Sequence, residues 1–189
     1  STAPGADALR GMVRDWGGKP ESSILVFGDK VPVTNAALVN CSAARAHDYD
    51  DFHEKAMVHT CAGIIPSCLA VAEKVGKVSG KDFITAMVLG IDVIARLGLS
   101  LKRNTLTTGM SATIQLGPFG SSLAAGKLLR FGPKEMLNAL GISYSMVSGN
   151  ILSAIEGTMM VHIQVGLSCQ AGILAAMMAQ RGIDGPKGV

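Results

Sequence analysis

Residues 46–59, AHDYDDFHEKAMVH, bring His47, Asp48, Asp50, Asp51, His53, Glu54 and His59 together in a chain whose charged residues make up only 16%. Carboxylates and imidazoles at this density can bind a metal, move protons for a small acid, or solvate a turn. Asp48 and Asp51 stand three apart, as do Asp50 and His53, so each pair would share a face of a helical turn. A metal needs three or four convergent ligands. Neither an H-E-x-x-H pattern nor a calcium loop with its central glycine is present, so no metal is expected. Acid–base work needs only one or two titratable groups beside a substrate. A carboxylate near a histidine, at the edge of an apolar bundle, suits that chemistry. Helix capping and loop solvation are the plainer alternative, and the residues alone leave both open.

Two further places set polar groups among apolar neighbours, where leaving them unpaired is costly. TLTTGMSATIQLGPFG, containing Ser111, offers hydroxyls and glycine before an expected helix start. Such a place suits either capping or an anion such as a carboxylate. EGTMMVHIQVG sets Glu156, His162 and Gln164 among methionines and aliphatic residues. A single histidine there is more often a satisfied core residue than a catalyst. No Ser/His/Asp or Cys/His spacing stands out, and no glycine-rich phosphate loop follows a strand.

The elements that must position these groups are mostly helical. Residues 6–16 read as a short amphipathic helix ending near Gly17-Gly18. ESSILVFGDKVPV predicts a small edge hairpin, with one strand over Ile24–Phe27, a turn at Gly28-Asp29, and a second run broken by Pro32. From Asn35 the pattern is helical. GIIPSCLAVAEKVG would tolerate Pro66 in its first turn or as a kink. Ser79 with Asp82 resembles a capping box that opens a long helix. That helix is apolar nearly all round, which predicts a central position. PFGSSLAAGKLLRFG, PKEMLNALGISYSMVSG and GLSCQAGILAAMMAQRG follow as helices, with Pro133 suited to a start and Gly182 to a stop. Recurrent Gly and Ala let their backbones approach closely. The expected fold is all-α, a single helical domain over residues 1–189 of about six small-residue-rich helices, with one β-hairpin near the N-terminus.

Composition narrows the function classes. Hydrophobic residues make up 48% and aromatics 4%, with 23 glycines and 10 methionines, a core-forming composition far from a disordered one. The formal charge of +3 comes from basic residues scattered singly, so no nucleic-acid partner is expected. Cys41, Cys61, Cys68 and Cys169 show no zinc spacing and read as buried free thiols in a reducing compartment. Residues 157–180 lack formal charge for a membrane-spanning length, yet carry His162, Gln164, Ser168 and Gln170. A helix buried among other helices is therefore expected, not a membrane span. STAPGADALRGMVRDWGG contains no hydrophobic region of signal-peptide length, so a cytoplasmic location is expected.

In order along the chain, NAALVNCSAARAHDYDDFHEKAMVH, LGPFGSSLAAGKLL, ALGISYSMVSGN and EGTMMVHIQVGLSCQAGILAAMMAQRGIDGP resemble the MmgE/PrpD family. That family includes 2-methylcitrate dehydratase, cis-aconitate decarboxylase and iminodisuccinate epimerase. The resemblance implies most of a large helical domain, with a smaller α+β domain absent from this chain. It implies a homodimer, or a heteromer with a chain carrying the missing domain, and no metal or cofactor. The implied reaction is proton transfer next to a carboxylate of a small di- or tricarboxylic acid, in a site between the two domains.

Residue by residue, the family's D-F-D-D-T stretch is DYDDF here. That places Asp48 at the catalytic aspartate and Phe52 where the threonine stands. His59 matches the histidine that precedes the next helix. The family's second histidine falls on Ser111, the lysine of T/V-K-R-x-H/Q-x-G on Val161, the arginine on His162 and the His/Gln on Gln164. The resemblance therefore implies Asp48 and His59 as catalytic, with Asp51, His53, Ser111, His162 and Gln164 around the substrate. Val161 cannot hold a carboxylate, and His162 could do so only when protonated. Two readings follow: a lyase or isomerase of a small acid, or a catalytically degenerate or partner-dependent (split-enzyme) subunit with a structural or binding role.

Overall fold

The computed structural model describes residues 2–101 and 105–188, and of Thr105 and Leu106 the backbone only, so the Thr105 hydroxyl of the hydroxyl-rich stretch lies outside the described residues. The chain runs α1 (Ala6–Trp16), β1 (Ser22–Ser23), β2 (Lys30–Val31), α2 (Val33–Arg45), α3 (Cys61–Val75) and α4 (Gly80–Ser100). A 3-10 turn (Thr105–Thr108) leads to α5 (Ala112–Leu128), α6 (Pro133–Ser145), the short α7 (Leu152–Ile155) and α8 (Met160–Gln180). The all-α expectation holds, with eight helices rather than about six and one antiparallel hairpin among the described residues.

Local signals account for several helix ends. Ser79 Oγ caps α4 by accepting from Asp82 N–H, and Pro133 opens α6. Gly182, at φ +83°, turns the chain after α8 in the left-handed region that favours glycine. The hairpin is shorter than expected, with Ser22 opposite Val31 and Ser23 opposite Lys30. Ile24–Phe27 lie in its loop instead of a strand. The chain turns there instead, with Ile24 N–H donating to Asp29 C=O and Gly28 N–H to Ile24 C=O, both at 2.8 Å, while Asn40 on α2 accepts from Leu25 N–H and donates to Ser23 C=O on the outer side.

Two prolines lie deeper inside helices than the sequence suggests. Pro66 sits in the second turn of α3, and α5 starts at Ala112, well before Pro118. Pro118 has no N–H to offer the Ile114 carbonyl four residues earlier. Ser168 Oγ on α8 donates to that carbonyl at 2.8 Å, so a tertiary contact replaces the missing helical bond.

The core is built on α8, which packs against α2, α5 and α6, while α4 packs on α5. Both α4 and α8 are long and apolar enough to cross a bilayer. In α8, 56% of the most apolar window is buried by other helices, as a core helix requires; in α4 only 22% is. The central position expected for α4 is thus corrected. A single stripe, Ala86, Gly90, Ile94 and Gly98, faces inward, whereas Ile84, Val88 and Leu99 face out. Apolar residues all round a helix permit burial but do not supply the neighbours.

Glycines set the helix spacing at α8. A Cβ on Gly166 would lie 2.3 Å from the Leu38 carbonyl oxygen, and one on Gly172 would lie 2.5 Å from that of Pro118. Neither backbone can yield without moving a helix. Gly172→Ala is expected to lower stability by about 2–3 kcal/mol in denaturant unfolding. Gly11→Ala, on α1 with open space around it, should instead raise stability by up to about 1 kcal/mol. Equal effects from the two substitutions would contradict this packing.

Candidate active site

A cleft of about 150 Å³ opens where the end of α2, the 46–60 loop, the start of α5 and the α7 segment meet; Arg45, Phe52, His59, Ser111, Asn150 and Val161 are among its lining residues. The loop is shaped by its own sequence. After α2 ends at Arg45, Asp48 adopts φ +59°, a left-handed conformation that Asp tolerates better than most residues. His53 N–H then bonds Val58 C=O at 2.9 Å, and Met57 N–H bonds His53 C=O at 2.8 Å. Ala56 and Val58 anchor this tight loop in the core. His59 is thereby returned to the cleft, where its N–H donates to Thr113 Oγ1 on α5 at 3.0 Å.

Arg45 organises the charged groups. Its Nη1 donates to Asp48 Oδ1 and to Asp50 Oδ1, the latter at 3.3 Å, and its Nη2 lies 3.1 Å from His59 Nε2. A guanidinium has donors only, so Nε2 must offer its lone pair and Nδ1 carries the proton. Nδ1–H points at the Asp51 carbonyl, 2.9 Å away. Asp50 Oδ2 lies close, 3.1 Å from Nδ1, but out of line, and this buried oxygen has no hydrogen-bond partner. The Asp50 side chain is only 7% exposed and that of Arg45 14%, while that of Asp48 is 72% exposed. Phe52 covers one side of the imidazole, with ring centroids 4.9 Å apart.

Asp48, Asp50 and His59 present ligand atoms within 4.8 Å of one another, a donor set that a metal could use. The Arg45 guanidinium already supplies a positive charge to all three. The cluster thus has a built-in cation, and its chemistry is that of an imidazole held between carboxylates and a guanidinium. Cys61 is no rival nucleophile, because burial and then the nearby Asp51 carboxylate push its thiol pKa up.

The other expected site residues are placed as follows. Asp51 accepts from Thr60 N–H, Thr60 Oγ1 and Cys61 N–H, and so caps the start of α3. His53 Nδ1 accepts from Ala56 N–H inside the loop. Ser111 is the N-cap residue of α5 and lines the cleft, its side chain making no cap bond. His162 is buried and donates from Nε2 to the Pro4 carbonyl, fastening the N-terminal segment. Gln164 accepts from Asn150 N–H and donates to Asn150 C=O and Ser153 Oγ, holding the segment that forms one wall. Val161 presents an apolar side chain to the cleft. Arg45, Asp50 and Thr113 were missed as site residues. For Arg45 a signal existed: a basic residue at a helix end, one turn before two acids.

Burial alone would raise the Asp51 carboxyl pKa, but the bonds from Thr60 and Cys61 outweigh it and hold the group below its ordinary value. A carboxyl depressed in the folded state adds stability above its unfolded pKa, near about 4, and loses it as pH falls through the folded value. Asp51→Ala is expected to cost about 1–2 kcal/mol at pH 7, measured by thermal unfolding. The gap to wild type should narrow below about pH 4. A pH-independent gap would show that the ionised cap is not the cause.

Comparison with known proteins bears on the family. The model of the MmgE/PrpD N-terminal domain matches residues 1–189. Cis-aconitate decarboxylase of Aspergillus terreus is 30% identical over 171 residues, covering 88% of this chain and 35% of that protein. Human cis-aconitate decarboxylase is 32% identical over 164 residues, 85% of this chain and 34% of that protein. A cis-aconitate decarboxylase-like protein of Aspergillus oryzae is 26% identical over 196 residues, 100% of this chain and 40% of that protein. The chain spans about a third of the length of the decarboxylases it matches. With its helical architecture and a family-model match along its whole length, the chain belongs to the MmgE/PrpD family.

Proposed function

We propose that this chain carries the proton-transfer groups of a lyase acting on a small di- or tricarboxylic acid, with Asp48 and His59 as those groups. The observation that carries the reading is His59, whose Nε2 lies 3.1 Å from Arg45 Nη2 in the cleft. An imidazole lone pair can take a proton from a carbon next to a carboxylate. In the dehydratase direction the electron pair left on carbon expels hydroxide, which departs as water. In the decarboxylase direction carbon dioxide leaves first, the electron pair of the broken C–C bond stays on carbon, and His59 or Asp48, having taken a proton from solvent, donates it to that carbon. The decarboxylases among the relatives favour the second direction. In either case Arg45 must release Nε2 before that nitrogen can work. No metal or cofactor enters these steps.

A second reading, a partner-dependent or catalytically degenerate subunit, draws on the exposed apolar residues near the cleft. Phe52 and Met57 line the cleft and are half exposed, and Leu152 and Ile155 of α7 are exposed beside its wall. A second domain or chain, in a homodimer or heteromer, would cover such a rim and supply the charge that Val161 does not. Cytoplasmic location, without nucleic-acid or membrane partners, completes the proposal.

Incubation with cis-aconitate, citrate and related acids in deuterated water, followed by proton NMR, tests the enzyme reading. Loss of the signal next to a carboxylate, or deuterium incorporation into a decarboxylated product, is expected. His59→Gln should slow it about 100-fold or more. No exchange with any acid, alone or with a co-purifying chain, contradicts catalysis and leaves the degenerate reading.

A further inference from the structure

We propose that Arg45 is the carboxylate-binding cation of this cleft, and that Asp48 occupies its ligand position until an incoming carboxylate displaces it. The inference rests on the small-acid reading of the cleft.

With His59 in its neutral form, Arg45 is the one positive charge among the described lining residues. Its two aspartates are held very differently. Asp50 is buried, keeps one oxygen on Nη1, and fixes where the guanidinium sits. Asp48 is mostly exposed, and its carboxylate is held by the Arg45 bond. An exposed pair of this kind contributes little net stability, because water competes for both partners. A ligand carboxylate in the cleft can bind the planar fork through two parallel bonds and is less hydrated there. Arg45 has five N–H groups, of which the contacts to Asp48, Asp50 and His59 use three. The remaining two, with the one that Asp48 vacates, suffice for a bidentate carboxylate. Exchange of carboxylates on Arg45 would also free Asp48 for its proton-transfer role and loosen the guanidinium from His59 Nε2.

Calorimetric titration of the native protein, with any chain that co-purifies, using succinate and citrate as probes, tests this. Arg45→Gln should weaken binding about 10-fold or more, and Arg45→Lys less, since charge remains without the fork. Asp48→Asn, which keeps the left-handed bend, should tighten binding about two- to fivefold by removing the internal competitor. Glu54→Gln removes a nearby exposed charge that is not on Arg45 and should change affinity by less than about twofold. Tightening by Asp48→Asn cannot arise from a merely structural Arg45, and it does not depend on the Arg45 variants folding. Unchanged or weaker binding in Asp48→Asn, equal tightening in Glu54→Gln, unchanged binding in Arg45→Gln, or no binding of either probe to wild type would overturn the proposal. The two proposals fail separately. Binding that follows these variants, without proton exchange, removes the lyase reading alone; exchange with Arg45-independent affinity removes this one alone.

Discussion

The guanidinium of Arg45 lines the cleft beside the His59 imidazole and pairs with two aspartates, and the geometry of all three depends on it. Its Nη1 joins Asp48 to Asp50, and its Nη2 takes the lone pair of His59 Nε2. A buried Asp50 without this cation would be an uncompensated charge, a far costlier state than the pair itself. The rest of the loop serves the same contact. Asp51 turns its backbone carbonyl to His59 Nδ1 and its side chain to the start of α3, so one residue fixes the imidazole and the helix behind it. Thr113 holds the His59 backbone from α5.

The helical frame makes that precision possible through close approach of small residues. Gly166 and Gly172 bring α8 against α2 and α5 with no room for a methyl group. Ser168 then completes the bonding of α5 where Pro118 interrupts it. On the same helix Gln164 secures the segment carrying Asn150 and Ser153. The cleft is thus walled by elements that cannot slide independently. α4 differs, because its buried stripe and the flanking Phe83, Met87, Ile91 and Leu97 pack on the core while Ile84, Val88 and Leu99 on its outer side are open.

The longer helices and several of their ends were legible in the sequence, because Ser79, Pro133 and Gly182 act locally, whereas the short α7 was not. Helix depth was not. The inward stripe of α4 depends on where α5 lies, and no periodicity in α4 encodes that. The start of α5 is later in the sequence reading than in the structure, because Pro118 looks like a boundary, whereas Ser168 Oγ replaces the helical bond that Pro118 removes. At the site, the acidic cluster drew attention to the right loop. It could not separate Asp51, a helix cap, from Asp50, a buried partner of Arg45, since adjacent residues of one type differ only in where the backbone points them. His162, suggested by resemblance, is bonded to Pro4, a contact across nearly the whole chain.

The protonation pattern of His59 in the ligand-free protein tests the central contact most directly. Long-range proton–nitrogen NMR correlations at neutral pH, assigned with the His59→Gln variant, distinguish the two neutral tautomers from the imidazolium. A proton on Nδ1 and a bare Nε2 are expected, because Arg45 can only donate. A proton on Nε2, in either the other tautomer or the cation, would contradict the arrangement on which the cleft is built.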